Sequence, residues 1–301
     1  MPSLSVVMPV YNCRAYLADA IASVRQQTFT GFELIIVDDG STDGSAKIMD
    51  AAAAADARLH IIRRPNTGLV GDLNAGLAVA RGAFIARMDA DDLCAPHRLA
   101  TQFRFLEENE SYAAVGSAVD VIDPAGRRLK TMRLPPAHDD IVQELLAGNG
   151  GAMIHPAVMF RASAIAAVSG YDPAFAGYGE DWDIFLRLSA HGQLANLAEV
   201  LLQYRMHPQS YNHTRRGEQV RTYLAAVNQA RRQHDLGAIT TLPWSRSMPT
   251  PAAIHRLWAE WAIEGAEHRT ARFHGFMALL HAPTDRASWR FLKYSAGLQT
   301  R

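Results

Sequence analysis

The chain of 301 residues is 49% apolar and 20% charged, which excludes a disordered or fibrous protein and suits one large domain or a domain with an appendage. Thirty Lys and Arg offset thirty Asp and Glu, so no basic excess points to a nucleic-acid partner. Cys13 and Cys94 supply neither a disulfide framework nor metal-ligand spacing, no run approaches the roughly 18 apolar residues of a membrane span, and the opening SLSVVMPVY has no basic leader, so a reducing cytoplasm is the expected setting.

Strand and helix signals alternate over the first hundred residues. Leu4–Val10 is a short β-branched run, and Arg14–Gln27 carries helical spacing through Tyr16, Leu17, Ala20, Ile21 and Val24. Phe32–Val37 reads as a second buried strand, followed by the turn Asp38-Asp39-Gly40-Ser41-Thr42-Asp43. An Ala-rich helix over Ser45–Ala57 leads to a strand at Leu59–Arg63, a helix over Leu69–Ala80 and a strand at Phe84–Met88 that runs into Asp89. Strands joined by single helices imply parallel pairing with right-handed crossovers, an α/β nucleotide-binding architecture. Ligands of such sheets sit beyond the carboxyl ends of the strands, where Tyr11, Asp38, Asp39 and the 89–92 turn fall.

The middle third changes style. Ala113–Ile122 and Arg127–Arg133 flank Asp123-Pro124-Ala125-Gly126, a hairpin signal. A helix over Asp139–Ala147, a strand at Ala157–Phe160, a helix over Glu180–His191 stopped by Gly192, and a closing strand at Leu201–Arg205 follow. Beyond residue 212 the pattern is helical, over about Thr214–His234, Pro251–His268, Thr270–Leu280 and Asp285–Ala296, with Pro243, Pro249, Pro251 and Pro283 as breaks.

Charge divides along the chain. Residues 1–204 hold 16 Lys/Arg against 24 Asp/Glu, a balance of −8, whereas residues 205–301 hold 14 against 6, a balance of +8, with seven of the twelve histidines. The tail carries Arg215, Arg216, Arg221, Arg231, Arg232, Arg256, Arg269, Arg272, Arg286, Arg290 and Lys293 among Trp258, Trp261, Phe273, Phe276, Trp289, Phe291 and Tyr294. Two readings fit: a cationic, aromatic surface for anionic lipid or a lipid-diphosphate acceptor, or aromatics packed on the body or a second subunit with arginines in solvent.

Three constellations carry chemistry. In Arg87-Met88-Asp89-Ala90-Asp91-Asp92, three carboxylates crowd a tight turn after an apolar strand, which is costly without a cation. Such hard oxygen donors suit Mg²⁺ or Mn²⁺, while a plain acidic cap for the helix after Pro96 is the structural alternative. In Val37-Asp38-Asp39-Gly40-Ser41-Thr42-Asp43, an Asp can accept from a pyrimidine ring N–H, and Tyr11 offers a stacking face or else a core aromatic. Thr42 and Asp43 read best as helix caps. Gly179-Glu180-Asp181-Trp182-Asp183 opens a helix with more acid than the dipole requires, so one of the three suits a general base.

Together with Val7-Met8-Pro9-Val10-Tyr11-Asn12, Asn66-Thr67-Gly68 and Asn74-Ala75-Gly76, these motifs in order resemble the inverting family 2 glycosyltransferases of the GT-A fold, over about residues 4–207. The resemblance implies a GT-A type nucleotide-binding sheet flanked by helices, in a catalytic domain over 1–211 with a donor-binding half (about 1–110) and an acceptor-side half (about 111–211). A helical extension over 212–301 matches no part of the family pattern. It further implies that Pro9 and Tyr11 line the donor site, Tyr11 stacking on the base, that Asp39 binds uracil or thymine, and that Asp89 binds the sugar nucleotide. By the same resemblance Asp91 is a metal ligand and Asp181 the base, with Glu180 beside it. Tyr204-Arg205-Met206-His207 is similar to a segment that closes over the diphosphate, which makes Arg205 a donor-binding residue and His207 a metal ligand, against a packed or surface histidine.

The implied reaction is a metal-dependent single displacement from a UDP- or dTDP-sugar to a hydroxyl of a glycan or lipid-linked acceptor, in bacterial surface glycan synthesis. The implied place is the cytoplasm, with the inner membrane face open to the tail. A sugar nucleotidylyltransferase would need a Gly-rich phosphate loop after the first strand, and Tyr11-Asn12-Cys13-Arg14 has no glycine. An inactive nucleotide-sugar-binding scaffold is the other alternative, and the occupied acidic motif positions speak against it.

Overall fold

The first apolar run forms β1 (Leu4–Val10), buried along its whole length, as a strand covered on both faces must be. In the computed structural model, which describes residues 2–175, 179–207, 216–242 and 250–295, β2 (Phe32–Asp38) lies parallel on one side of β1 and β4 (Phe84–Arg87) parallel on the other. Strand β3 (Leu59–Arg63) adds to β2, again in parallel. The crossovers are α1 (Leu17–Arg25), α2 (Ser45–Ala55) and α3 (Leu69–Val79). Gly76 sets the packing of α3, because a Cβ there would lie 2.5 Å from Val7 Cγ1.

The chain continues through β5 (Leu93–Cys94), α4 (Arg98–Glu108), β6 (Tyr112–Ile122), β7 (Arg128–Met132), α5 (His138–Leu146), β8 (Met159–Arg161), α6 (Ala162–Ala167), α7 (Glu180–Ser189) and β9 (Gln193–Arg205). The sheet order is β3-β2-β1-β4-β8-β6-β9-β5, with β7 on β6, and β8 runs antiparallel to both β4 and β6. This is the mixed α/β sheet flanked by helices that the sequence led us to expect.

Two strands differ from expectation. Residues 155–157 turn as a short 3₁₀ helix, so β8 starts at Met159. Strand β9 starts at Gln193, eight residues before the Leu201 start read from the sequence. Its polar Asn196 is buried, donating to the carbonyls of Pro135 (2.8 Å) and Ala152 (2.9 Å), so a strand residue there looks like a loop residue in the sequence.

The helices that follow are α8 (Arg216–Gln233), α9 (Pro251–Glu264), α10 (His268–His281) and α11 (Arg286–Ser295). Arg215, Pro243 and Pro249 lie outside the described residues, as do the side chains of Arg216, Arg290, Phe291, Lys293 and Tyr294. Among the described residues, no helix is long and apolar enough to cross a membrane.

Contacts divide the chain into two compact units: Met1–Val119, Arg133–Leu202 and Gly217–Trp244 form one, and Asp120–Met132, Gln203–Arg216 and Ser245–Arg301 the other. The core of the first includes Leu145, Phe160, Trp182 and Phe185, with Val227 and Ala230 of α8. In the second, Val121 and Leu129 of the hairpin pack with Ile254, Trp258, Ala262 and Ala271. The same unit buries Asp123, which accepts from Arg127 Nε (2.6 Å) and shares a hydrogen bond with His274 Nε2 (3.1 Å).

Candidate active site

Of the parallel strands, β1 and β2 end level, Val10 opposite Asp38, while β4 ends beside Val7, three residues short of the end of β1. Their following loops therefore meet at the carboxyl edge, where open α/β sheets hold ligands. Pro9 is buried in β1 opposite Val37. Tyr11, two residues on, is 55% exposed and is no core aromatic. The loop beyond it is laced to the turn after β2. Asn12, at φ +50, donates its N–H to Ser41 Oγ (3.1 Å) and accepts from Thr42 N (2.8 Å), while Arg14 N donates to Asp43 (2.8 Å). Asp43 also accepts from Ser45 N at 2.9 Å, but Gly44 holds the N-cap position of α2 without a side-chain cap and Thr42 bonds Asn12, so neither is the cap the sequence suggested.

Asp39 is buried and accepts from Thr67 N (2.6 Å) and Gly68 N (3.0 Å), one per carboxylate oxygen. The Asn66-Thr67-Gly68 segment is thus tied to the strand-two turn. Against Asp39 lies Asp72 of α3, itself buried, whose carboxyl is pushed up to about 7 by burial and by the Asp39 charge it hydrogen-bonds, with Arg64 opposing. The sequence reading did not single out Asp72. The signal for it was an acid on the buried face of a helix whose other inward residues are Val70, Leu73 and Gly76.

After β4 the turn is held from beneath. Buried Arg98 donates Nη2 to the Arg87 carbonyl (2.8 Å), and Met88 N donates to Val7 O (3.1 Å). These bonds carry the strand one residue further and project the acids that follow. Oxygen atoms of Asp89, Asp91 and Asp92 lie within 4.8 Å of one another. Arg87 Nη1 pairs with Asp89 at 2.5 Å. Burial raises the Asp89 pKa, Arg87 opposes this, and the Asp91 charge adds to it. Burial and then Asp91 and Asp89 push the Cys13 thiol up as well, which puts that side chain in the field of the cluster.

Gly179 stands at the N-cap of α7 with φ +87, a conformation that suits glycine, and Glu180 and Asp181 occupy the first turn. Asp181 accepts from Trp182 N (2.8 Å) and from Tyr223 of α8. Burial raises the Asp181 pKa, and burial followed by the Asp181 charge takes Glu180 to about 8. Asp183 is held by Arg187 through two hydrogen bonds (2.9 and 2.5 Å), so it serves the helix. The Arg87 charge acts on Asp89, Glu180 and Asp181 alike, and acids some ninety residues apart in sequence share one electrostatic site.

Two further buried groups belong to this network, and the sequence reading named neither. His155 Nε2 and the Tyr171 hydroxyl share a 2.7 Å hydrogen bond, with His155 held neutral by burial and then by Arg87. Asn74 grips the backbone of Tyr171 from both sides, accepting from its N–H (2.9 Å) and donating to its carbonyl (2.8 Å). Arg205 and His207 belong to the second unit. There buried Arg205 donates Nη1 to the carbonyls of Asp123 (3.2 Å) and Pro124 (3.1 Å).

Residues 5–168 match the family model described as Glycosyl transferase family 2. The chain belongs to that family. It is 32% identical over 228 residues to an uncharacterized glycosyltransferase of Haemophilus influenzae, covering 70% of this chain and 69% of that one. With the O-antigen biosynthesis glycosyltransferase WbnJ of Escherichia coli the identity is 32% over 211 residues, or 69% of this chain and 81% of the relative. Among solved structures, S. aureus TarS 1–349 in complex with UDP-GlcNAc superposes with a TM-score of 0.59 at 15% identity, over 100% of this chain and 93% of that one. The mannosyltransferase PcManGT from Pyrobaculum calidifontis, in complex with GDP-Man and Mn²⁺, gives 0.57 at 17% identity, over 99% and 80%. The fold is that of the GT-A glycosyltransferases, and the protein is a glycosyltransferase with relatives in surface polysaccharide assembly.

Proposed function

We propose that the chain moves a sugar from a UDP- or dTDP-sugar to a hydroxyl of a glycan or lipid-linked acceptor, with inversion at the anomeric carbon, on the cytoplasmic side of a bacterial membrane. The gathering of Asp89, Asp91 and Asp92 within 4.8 Å carries this reading, in the same unit as the raised acids Glu180 and Asp181. Three carboxylates at that spacing fit a hard divalent ion such as Mn²⁺ or Mg²⁺, and the complex of PcManGT with GDP-Man and Mn²⁺ supports the same reading. Asp91 would hold the ion. Bound there, it would neutralise charge developing on the leaving diphosphate.

The protein's own residues do the rest. The exposed ring of Tyr11 offers a face for the base, and Asp39 has lone pairs left for a ring N–H. Asp89, turned by its pair with Arg87, would face the sugar nucleotide. Two adjoining carboxyls resist double ionisation, so Glu180, at about 8, keeps a proton at neutral pH and Asp181 acts as the base. The N–H of Trp182 and the hydroxyl of Tyr223 hold that carboxylate in one orientation for the acceptor hydroxyl. Incubation with UDP-, dTDP- and GDP-sugars, with and without Mn²⁺, tests the donor: slow release of UDP or dTDP only with metal is expected. NMR of the transfer product should show the opposite anomer. Retained configuration, or turnover of GDP-sugars alone, would overturn this reading.

A further inference from the structure

Among the described residues the exposed large hydrophobics are Tyr11, Val79, Leu236, Phe273, Phe276, Leu280 and Trp289. Tyr11 has its place in the donor site. Four of the other six fall on α10 and α11, within the second unit. At about 100° per residue, Arg269, Phe273, Phe276 and Leu280 share an arc of roughly 60° on α10, with Arg272 at its flank. Phe276 is 52% exposed, Leu280 60% and Trp289 50%.

The orientation of this stripe is fixed from behind. Thr270, Ala271, His274 and Ala278 form the buried face of α10. His274 is fastened there by Asp123 at 3.1 Å and by His255 Nδ1 at 2.9 Å. Turning the helix to hide the aromatics would break the hydrogen bond between His274 and buried Asp123. The outward face is also cationic: Arg269, Arg272 and Arg286 are exposed, and Arg127 stacks 3.5 Å above the Phe273 ring. Neither α10 nor α11 contains an Asp or Glu.

An apolar stripe edged by arginines and free of acids has a definite chemical complement. A second copy of the chain meeting it across a two-fold axis would set arginines against arginines with no carboxylate between them. An anionic bilayer supplies both halves, phosphates for the guanidinium groups and an acyl boundary for Phe276 and Leu280. We propose that the outward face of α10, with Trp289 of α11, docks the protein on an anionic lipid surface. The docking is independent of donor chemistry and would keep the enzyme where a lipid-linked acceptor is presented.

Co-sedimentation of the full chain with vesicles tests this. Binding to phosphatidylglycerol–phosphatidylethanolamine vesicles is expected to exceed binding to phosphatidylcholine vesicles at least tenfold at low salt. It should fall by a similar factor in 0.5 M NaCl, because surface attraction is screened. The double variants Phe276→Ser/Leu280→Ser and Arg269→Glu/Arg272→Glu should each lose binding, with Tm and donor hydrolysis unchanged. Three results would overturn the proposal: no sedimentation of the full chain with anionic vesicles, binding by either double variant equal to that of the parent, or a parent dimer that Phe276→Ser/Leu280→Ser converts to monomer. Displacement from the vesicles by a stoichiometric single-stranded oligonucleotide would likewise sink it, in favour of nucleic acid.

Discussion

Asp123 in the second unit and Glu180 in the first are both buried acids, and they titrate in opposite directions. Burial works against the charge of Asp123, yet His274 and Arg127 outweigh it and hold the carboxyl at about 2. Burial works against Glu180 too, but there the next influence is another acid, Asp181, and the carboxyl rises to about 8. Glu33, buried in the sheet of the first unit, behaves like Asp123, lowered through Ser5 and Arg81 despite its burial. Position in a core therefore does not decide the matter; the partners do. At the carboxyl edge of the sheet and on the first turn of α7, Asp89, Glu180, Asp181 and Asp72 are left raised, and burial keeps Asp183 raised too, even against its pair with Arg187.

The comparison breaks most visibly at the acidic turn. Asp91→Ala should abolish metal-dependent turnover, a loss of at least ~10³-fold, with the fold intact. Calorimetry should show that Mn²⁺ no longer promotes nucleoside diphosphate binding, and unchanged Mn²⁺-dependent binding would remove Asp91 from the ligand set. Next in size is Asp181→Asn, expected to bind donor almost normally and to lose kcat by about 10²–10⁴-fold. Its neighbour sharpens the contrast. Asp183→Asn should lower Tm by loosening Arg187 while leaving kcat within a few-fold, because that carboxylate is already paired. The reverse pattern between 181 and 183 would mean that the base has been misassigned.

In the second unit the expected effect is on stability. Asp123→Asn leaves His274 and Arg127 without their anion and should cost about 3 kcal/mol, several degrees in Tm. Because the folded pKa of Asp123 is depressed, its contribution is present above the unfolded value near 3.8 and lost as pH falls through about 2. Melting curves of wild type and variant should therefore converge in strong acid. Equal Tm at pH 7 would show that the buried pair contributes nothing net.

Much of this was legible in the sequence where local pattern decides structure. The strands Leu4–Val10 and Leu59–Arg63 stand where the apolar runs placed them, and parallel pairing followed from their spacing. The turn Asp89-Ala90-Asp91-Asp92 gathers as its crowding suggested. Illegible were the features that depend on which distant element meets which. Tyr223 reaching Asp181 from α8, or His274 meeting Asp123 across 151 positions, leaves no periodic trace. Buried polar groups mislead for a related reason. The sequence singled out neither Asn196 within β9 nor Asp72 within α3, since the partners of each are met only in the folded chain.

Asp72 supplies the smallest effect and the finest test of the comparison. Its carboxyl is raised to about 7, first by burial and then by the Asp39 charge, with Asp38 adding to the rise and Arg64 opposing it. Between the unfolded value of 3.8 and about 7, the folded state holds a proton that the unfolded chain has released. The associated stability is present below the unfolded value and lost as pH rises through about 7. Asp72→Asn keeps the shape and cannot ionise, so its Tm should fall less steeply than that of wild type between pH 5 and pH 8, by a few degrees over the range. Glu180, Asp181 and Asp89 contribute the same slope to both proteins, which leaves the difference to Asp72 alone. Ionised Asp72 also sets a second negative charge against Asp39, so from pH 6 to pH 8.5 wild-type affinity for UDP should weaken a few-fold more than that of the variant. Parallel Tm curves would mean that Asp72 is ionised in the fold and that the two carboxyls do not share a proton.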